Sequence, residues 1–348
     1  MMMYFSSENF DGAHPQVMAA VADANKDFVP SYGEDRYTKE AIRMCRDFLG
    51  IEEAEIYFCF NGTGANNFAL GCITEKYQSV YCSDVSHLYN AESTAPETFT
   101  GCRLYPINTR NGKIDAEDLQ KKINKQTGIH IPVPGVLTIT QPTEYGTVYD
   151  LDELAVIRDI CQEAGLLLHI DGARIFNALA SLNCSLASLA NASGADVITI
   201  GGTKAGLLFG EAVVFISPGR FKNIKYQLKR SMQLASKNRF IAAQFIALFH
   251  NQLWHKITEH TNGLATYCKQ ELEKINSSLI MYPVNTNMVF LVMPWVVYQQ
   301  LLPVARFYYW DTDQQEVRLV FSFSNTRDEI DSFIQQLKEI LAADGSYL

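Results

Sequence analysis

The sequence predicts an α/β fold: a large domain around a mostly parallel sheet, then a smaller α+β C-terminal domain. Three observations predict it. Between Glu55 and Ile216, short apolar runs alternate with helical stretches, the pattern of parallel strands joined by crossover helices. After Pro218-Gly219 the alternation gives way to a long helical pattern. The chain has 348 residues, which suits one large domain plus a smaller one. The expected division is 1–35 as an N-terminal arm and interface segment, 36–240 as the large domain and 241–348 as the small domain.

In order along the chain, 1–35 has too few apolar residues to fold alone, with a short helical pattern from Pro15 to Ala24 and turn chemistry from Pro30 to Asp35. Thr38 to Leu49 repeats apolar residues at helical spacing. Strands are expected at Ile56–Phe60, Ser79–Cys82, Arg103–Ile107, Gly135–Thr140, Leu166–Ile170, Val197–Ile200 and Glu211–Ile216. Helices are expected at Asn66–Tyr77, Ala116–Lys125, Asp150–Ala164 and Leu186–Ala192. Beyond them, Arg220–Glu259 and Gly263–Lys274 read as helical. Thr286–Met293 and Glu316–Phe323 read as strands, and Arg327–Ala342 as a last helix. No internal repeat or low-complexity segment appears.

Composition excludes several classes. The formal net charge is −9 with no basic block, which argues against nucleic acid and anionic membranes as partners. No run approaches the roughly 18 apolar residues of a membrane span. Met1 to Asn9 lacks the features of a signal peptide. The eight cysteines are scattered without a Cys-x-x-Cys pair, as in a reduced, cytoplasmic protein. His255, Glu259 and His260 lack the His-Glu-x-x-His spacing, so no metal is expected.

The chemistry sits where apolar runs end. His169-Ile170-Asp171-Gly172-Ala173-Arg174 and Gly201-Gly202-Thr203-Lys204 close two consecutive strands, and sites form at such ends. An Asp can hold a pyridinium nitrogen, and a Lys can bond an aldehyde. Together they are the protein's share of pyridoxal phosphate chemistry. Either segment alone is explained as well by a helix cap or a solvated turn. Asn61-Gly62-Thr63-Gly64-Ala65-Asn66 ends the first strand and opens a helix, a phosphate cradle or a simple N-cap. His87 follows the second strand, with Glu92 five residues on, placed to meet a cofactor ring or line a polar loop.

These segments, with Phe5-Ser6-Ser7-Glu8-Asn9, Tyr32-Gly33, Gln141-Pro142-Thr143-Glu144, Lys229-Arg230, Ser236-Lys237 and Val317-Arg318-Leu319, resemble the low-specificity L-threonine aldolases. That family belongs to the threonine aldolase and aromatic amino acid β-eliminating lyase group, within the type I (aspartate aminotransferase) fold. The resemblance runs from residue 5 to about 320, and the Asp171–Arg174 and Thr203-Lys204 segments are its specific part.

The resemblance implies pyridoxal 5′-phosphate as cofactor. Lys204 is similar to the lysine that bonds the cofactor aldehyde, Asp171 to the partner of the ring nitrogen and His87 to the residue stacked on the ring. Gly62, Thr63 and Gly64 resemble the phosphate-binding turn, with Arg174, Thr203 and Lys237 as further cofactor contacts. Ser7, Arg174 and Arg318 resemble the groups that take the substrate α-carboxylate, a task a guanidinium fork suits. Glu92 and Glu144 join the catalytic set. Tyr32, Lys229 and Arg230 resemble residues lent by a neighbouring subunit of a homodimer or homotetramer. Glu144 stands where many relatives carry a His, and Ala205 where a small polar residue is expected. The implied activity is cleavage of L-threonine, L-allo-threonine or a related β-hydroxy amino acid to glycine and an aldehyde. The alternatives are β-elimination from an aromatic or sulfur amino acid to pyruvate and ammonia, and a non-catalytic cofactor-binding fold.

Overall fold

The computed structural model describes residues 2–125 and 128–344. Seven strands form the main sheet: β1 (Glu55–Cys59), β2 (Gln78–Ser83), β3 (Arg103–Ile107), β4 (Val133–Thr140), β5 (Leu167–Gly172), β6 (Val197–Gly201) and β7 (Glu211–Phe215). Their spatial order is β1-β7-β6-β5-β4-β2-β3. Neighbours from β6 to β3 are parallel. Strand β7 runs antiparallel to both β1 and β6. All seven coincide with expected strands to within two residues at each end; β5 to β7, buried almost throughout, read as near-continuous apolar runs.

Local signals explain where the helices begin. Helix α1 spans Pro15–Ala24. Helix α2 (Arg36–Leu49) starts at Asp35, whose carboxylate accepts the Thr38 N–H, and stops at Gly50 with φ of 71°. Helix α3 (Gly62–Ile73) starts four residues before its expected position, because Asn61 accepts the Gly64 N–H and turns the Gly-rich segment itself into helix. Helix α4 (Leu151–Ala164) opens with a reciprocal Asp150/Glu153 capping box. Helix α5 (Ile175–Leu182), directly after Arg174, was not expected; it is only eight residues long and mostly apolar.

The expected helix over 220–259 is broken. It is a short turn of helix (Ile224–Arg230), a loop, α6 (Arg239–Phe249), and α7 (Leu253–Glu273), which runs unbroken through Gly263. Positive φ angles at Met232, Asn251 and Gln252 mark the breaks. Apolar spacing continues across them, so periodicity alone does not register them.

Two cores follow. The large one packs α2, α4 and α6 on the sheet and reaches Leu253 and Ile257 of α7. The small-domain core begins at Leu264, later than the expected boundary at 241. It packs α8 (Arg327–Asp344) against β8 (Met288–Val292), β9 (Tyr308–Asp311) and β10 (Glu316–Val320), ordered β8-β10-β9.

The N-terminal segment is not a free arm. Met3 and Phe5 lie in the small-domain core, and full burial of such a side chain contributes roughly 1.5–3 kcal/mol. The Phe5 N–H donates to the Arg306 carbonyl at 2.7 Å, and its carbonyl accepts the Val320 N–H at 2.8 Å. Residues 6 to 12 are thereby laid across the carboxyl end of the large sheet.

Strands β5 and β6 meet without room for side chains at their ends. A Cβ on Gly201 would strike the carbonyl of Ala173, and one on Gly172 the carbonyl of Thr199. Gly201→Ala should therefore cost about 3 kcal/mol, read as a lower urea midpoint. Gly263→Ala, on an open helix face, is the control and should stabilise by about 0.5–1 kcal/mol.

Candidate active site

The carboxyl ends of β1, β2, β4, β5 and β6 point to one edge of the sheet, and the apolar strand runs deliver their polar followers there. The result is a cavity of about 360 Å³ lined by Ser7, Gly62, Thr63, Asn66, His87, Glu92, Glu144, Asp171, Arg174, Lys204, Tyr308, Trp310 and Arg318, among others. Lys204 sits in a single turn of 3₁₀ helix just past β6. Thr203 faces a second cavity of about 300 Å³ that Lys204 also borders.

Charge is dense and mostly buried here. The Arg174 charge, then burial, push the Lys204 ammonium down to about 8, so a useful share is neutral and nucleophilic near neutral pH. Asp171 accepts the Ala173 N–H at 3.0 Å and the Asn66 amide at 2.8 Å. The same Asn66 nitrogen donates to Glu92 at 3.1 Å, and Glu92 lies 3.1 Å from His87 Nδ1. A chain His87–Glu92–Asn66–Asp171 thus locks the His ring and the Asp together. Glu144 accepts the His87 N–H at 2.9 Å and the Thr140 hydroxyl at 2.8 Å. Burial outweighs those bonds and pushes its carboxyl up to about 7.

Glu211, at the start of antiparallel β7, accepts the Gly202 N–H at 2.7 Å and the Thr203 hydroxyl at 2.8 Å. Its carboxylate clamps the turn that carries Lys204, and burial raises it to about 7. Glu8 receives Arg174 bidentately, at 2.6 and 2.8 Å. Burial raises the Glu8 carboxyl, but Arg174 outweighs it and holds the group at about 2.

Pyridoxal phosphate fits this site. Helix α3 presents the Gly62 and Thr63 N–H groups with no acceptor among the described residues, and the space beside Gly62 is open. Gly64 serves differently: a Cβ there would strike the Gln233 side chain. Buried atoms around the cavity lack a protein partner, among them Asn66 Oδ1, Glu92 Oε2, Glu144 Oε2 and Arg318 Nε. A polar ligand would answer them.

The structure brings together the expected Ser7, Gly62, Thr63, His87, Glu92, Glu144, Asp171, Arg174, Lys204 and Arg318. Lys237 lies elsewhere, in a surface groove with Asn25 to Ser31. Tyr32 is exposed, with the Lys229 ammonium 5.8 Å from its ring centre, and Arg230 is exposed beside Lys229. These three also lie outside the cavity of their own chain. Sequence reasoning missed Glu8, Asn66, Glu211, Tyr308 and Trp310 as site-forming residues. Asn66 and Glu8 stood inside quoted segments, whereas nothing local marked the other three.

The sequence profile of the beta-eliminating lyase family matches residues 5–294. A low-specificity L-threonine aldolase of Pseudomonas aeruginosa is 38% identical over 328 residues, covering 90% of this chain and 94% of that protein. One from a Pseudomonas species is 37% identical with the same coverage. The solved threonine aldolase of Leishmania major superposes with a TM-score of 0.92 at 26% identity, covering 97% of this chain and 99% of that one. The chain therefore has the type I fold.

Lys204→Ala should lose the visible absorbance of a lysine-bound cofactor, and borohydride should no longer fix pyridoxal phosphate to the protein. A normal yield of reduced, protein-linked cofactor in that variant would remove Lys204 from its role.

Proposed function

The chain belongs to the beta-eliminating lyase family and, within it, to the low-specificity L-threonine aldolases, and from that premise we propose that it cleaves β-hydroxy-α-amino acids to glycine and an aldehyde. It is a pyridoxal phosphate-dependent lyase. The observation that carries the reading is Glu144, a buried carboxyl raised to about 7 whose Oε2 has no protein partner on the wall shared with Lys204 and Asp171. A base matched to neutral pH is what deprotonation of a β-hydroxyl requires.

Lys204 would hold the cofactor aldehyde, Asp171 its ring nitrogen, His87 its ring face, and the N-terminus of α3 with Gly62 and Thr63 its phosphate, whereas the Gly64 N–H is already given to Asn61. When bound, pyridoxal phosphate supplies an electron sink for the pair released as Cα–Cβ breaks. The protein then supplies orientation and proton movement. Glu144 takes the β-hydroxyl proton at Oε2, and the C–O bond becomes the carbonyl of the leaving aldehyde. The Ser7, Arg174 and Arg318 wall faces the α-carboxylate and sets which bond at Cα is broken. Glu92 accepts from His87 Nδ1 and keeps that ring's tautomer defined.

No helix among the described residues is long and apolar enough to cross a membrane. The reading places the enzyme in the cytoplasm, in amino acid metabolism, as a homodimer or homotetramer. Supporting the assembly, Phe28 is exposed in the groove that holds Lys237, and Tyr32, whose ring faces Lys229, is exposed along with Tyr226 and Met232. Those residues would complete a neighbour's site.

Incubation of cofactor-loaded protein with L-threonine, L-allo-threonine and L-phenylserine should yield glycine and the matching aldehyde; pyruvate with ammonia would overturn the aldolase reading. Below about pH 7 Glu144 is protonated and cannot accept, so turnover should rise with pH through about 7. Glu144→Gln should lower the rate by on the order of 100-fold and erase that limb. Lys204→Ala and Tyr32→Ala, each inactive alone, should regain activity when mixed and allowed to exchange subunits. A fully active monomer by sedimentation would rule the shared site out.

A further inference from the structure

The turn that carries Glu144 is gripped from both domains. Within the large domain, the Thr143 N–H donates to the Thr147 carbonyl and the Gly146 N–H to the Thr143 carbonyl, both at 2.9 Å. The Thr147 hydroxyl ties the turn to the Asn111 carbonyl at 2.6 Å. From the small domain, the Thr286 hydroxyl donates to the Gly146 carbonyl at 2.9 Å. Tyr282 lies flat on Tyr145, with ring centroids 4.3 Å apart and planes 17° from parallel. The small-domain contacts thus fall on the two residues that directly follow Glu144.

The small-domain side is itself fixed. Phe290 of β8 is fully buried and meets both tyrosines edge-on, each at 5.5 Å. The Met281 N–H donates to the Phe290 carbonyl at 3.0 Å, which fastens the segment bearing Tyr282 to β8. The Tyr282 hydroxyl donates to Glu316 at 3.4 Å. Met288, Phe290 and Val320 close around the two tyrosines as a separate small core. At Gly146, with φ of 75°, a Cβ would come within 3.1 Å of the Thr286 hydroxyl and 3.2 Å of Met288, so this approach of the domains needs a glycine.

We propose that Tyr282 is a positioning residue for Glu144: by stacking on Tyr145 it lets the small domain set the backbone from which that carboxyl reaches the cavity. The proposal rests on the reading of Glu144 as the base. Glu144 Oε1 is held within the large domain by His87 and Thr140, and Oε2 is left for the substrate. The aim of Oε2 follows the backbone of the turn, and a misplacement of about 1 Å at a reacting group costs on the order of 100-fold. Docking of the two domains therefore orients the base.

Hydrogen exchange of the cofactor-loaded enzyme, read by mass spectrometry, tests the contact without turnover. Tyr282→Leu keeps apolar bulk without the ring. It should speed exchange of the 141–147 segment roughly tenfold and leave the segment around Lys204 as it was. Tyr282→Phe should recover to within about threefold. Thr286→Val removes only the hydroxyl on the Gly146 carbonyl and should speed the same segment roughly threefold. In turnover of L-threonine, Tyr282→Leu should lower kcat roughly tenfold and leave KM within about twofold. Its pH limb should move below the wild-type position near 7, because a loosened turn admits water and burial is what raises the carboxyl. The titratable groups that face Glu144 are Cys82, His87, Tyr149, Asp171 and Arg174, all in the large domain, so a change at Tyr282 reaches it through the turn. Partial unfolding would lower the amount of active enzyme without moving the limb. A folded Tyr282→Leu that exchanges 141–147 like the wild type, speeds the Lys204 segment equally, or keeps its kcat or its limb, overturns the proposal. Thr286→Val without faster exchange in 141–147 also overturns it, and decides the case in which Tyr282→Leu fails to fold. Wild-type enzyme that releases no aldehyde, or shows no limb near 7, would sink the reading of Glu144 as the base, while the exchange comparison still decides the role of Tyr282.

Discussion

The contact on which this site depends is between bare backbone and bare backbone. Gly172 and Gly201 let the ends of β5 and β6 run side by side so closely that a methyl group on either would meet a backbone carbonyl of the adjacent segment. That approach puts Asp171 and Arg174 on one side of a seam and Lys204 on the other. Glu211 secures the second side by taking a backbone N–H and the Thr203 hydroxyl from the Lys204 turn. An alanine at the seam would therefore act on catalysis through geometry without touching a reacting atom.

Around the seam, buried charge is arranged in balanced pairs with selected exceptions. Arg174 is matched by Glu8, and the Asn66 amide bridges Asp171 and Glu92. In a setting of low effective dielectric, satisfied groups rigidify the site, and those left over are poised for a ligand. Glu144 and Arg318 are left over. One is a carboxyl raised by burial, the other a guanidinium lowered to about 10 by burial and by Arg174, yet still charged at neutral pH. Their contrasting chemistry matches an amino acid that offers a hydroxyl proton at one end and a carboxylate at the other.

The N-terminal segment links the two domains to this charge pattern. Phe5 is held between the Arg306 and Val320 backbones, three residues before Glu8 pairs with Arg174 across the cleft. The small domain also contributes Tyr308, Trp310 and Arg318. The large domain thus carries the cofactor groups, and the small domain with the N-terminal segment carries the groups that face the substrate carboxylate.

What was legible in the sequence was whatever is encoded locally. Strands buried on both faces appear as apolar runs, so β1 to β7 and their order along the chain could be read directly, together with the polar residues that end them. Asp171, Arg174, Lys204, His87 and the Gly62–Gly64 turn came from that reading, and the family resemblance added Arg318 and Glu144. The helix over 220–259 was misread, because the loop around Met232 interrupts a backbone without interrupting the apolar spacing. The role of Glu8 was invisible, since an acidic residue near the start of the chain carries no sign of an arginine 166 positions away. Trp310 and Glu211 were invisible for the same reason: an aromatic in an edge strand and a Glu opening a core strand look like packing. The sequence by itself determined the strand runs, the chemical identity of their terminal residues and hence the cofactor class, because these depend on local pattern. Only the tertiary structure decided which groups are paired and which carboxyl is raised. Those properties are set by burial and by partners distant in the chain, which exist only once the two domains close on one another.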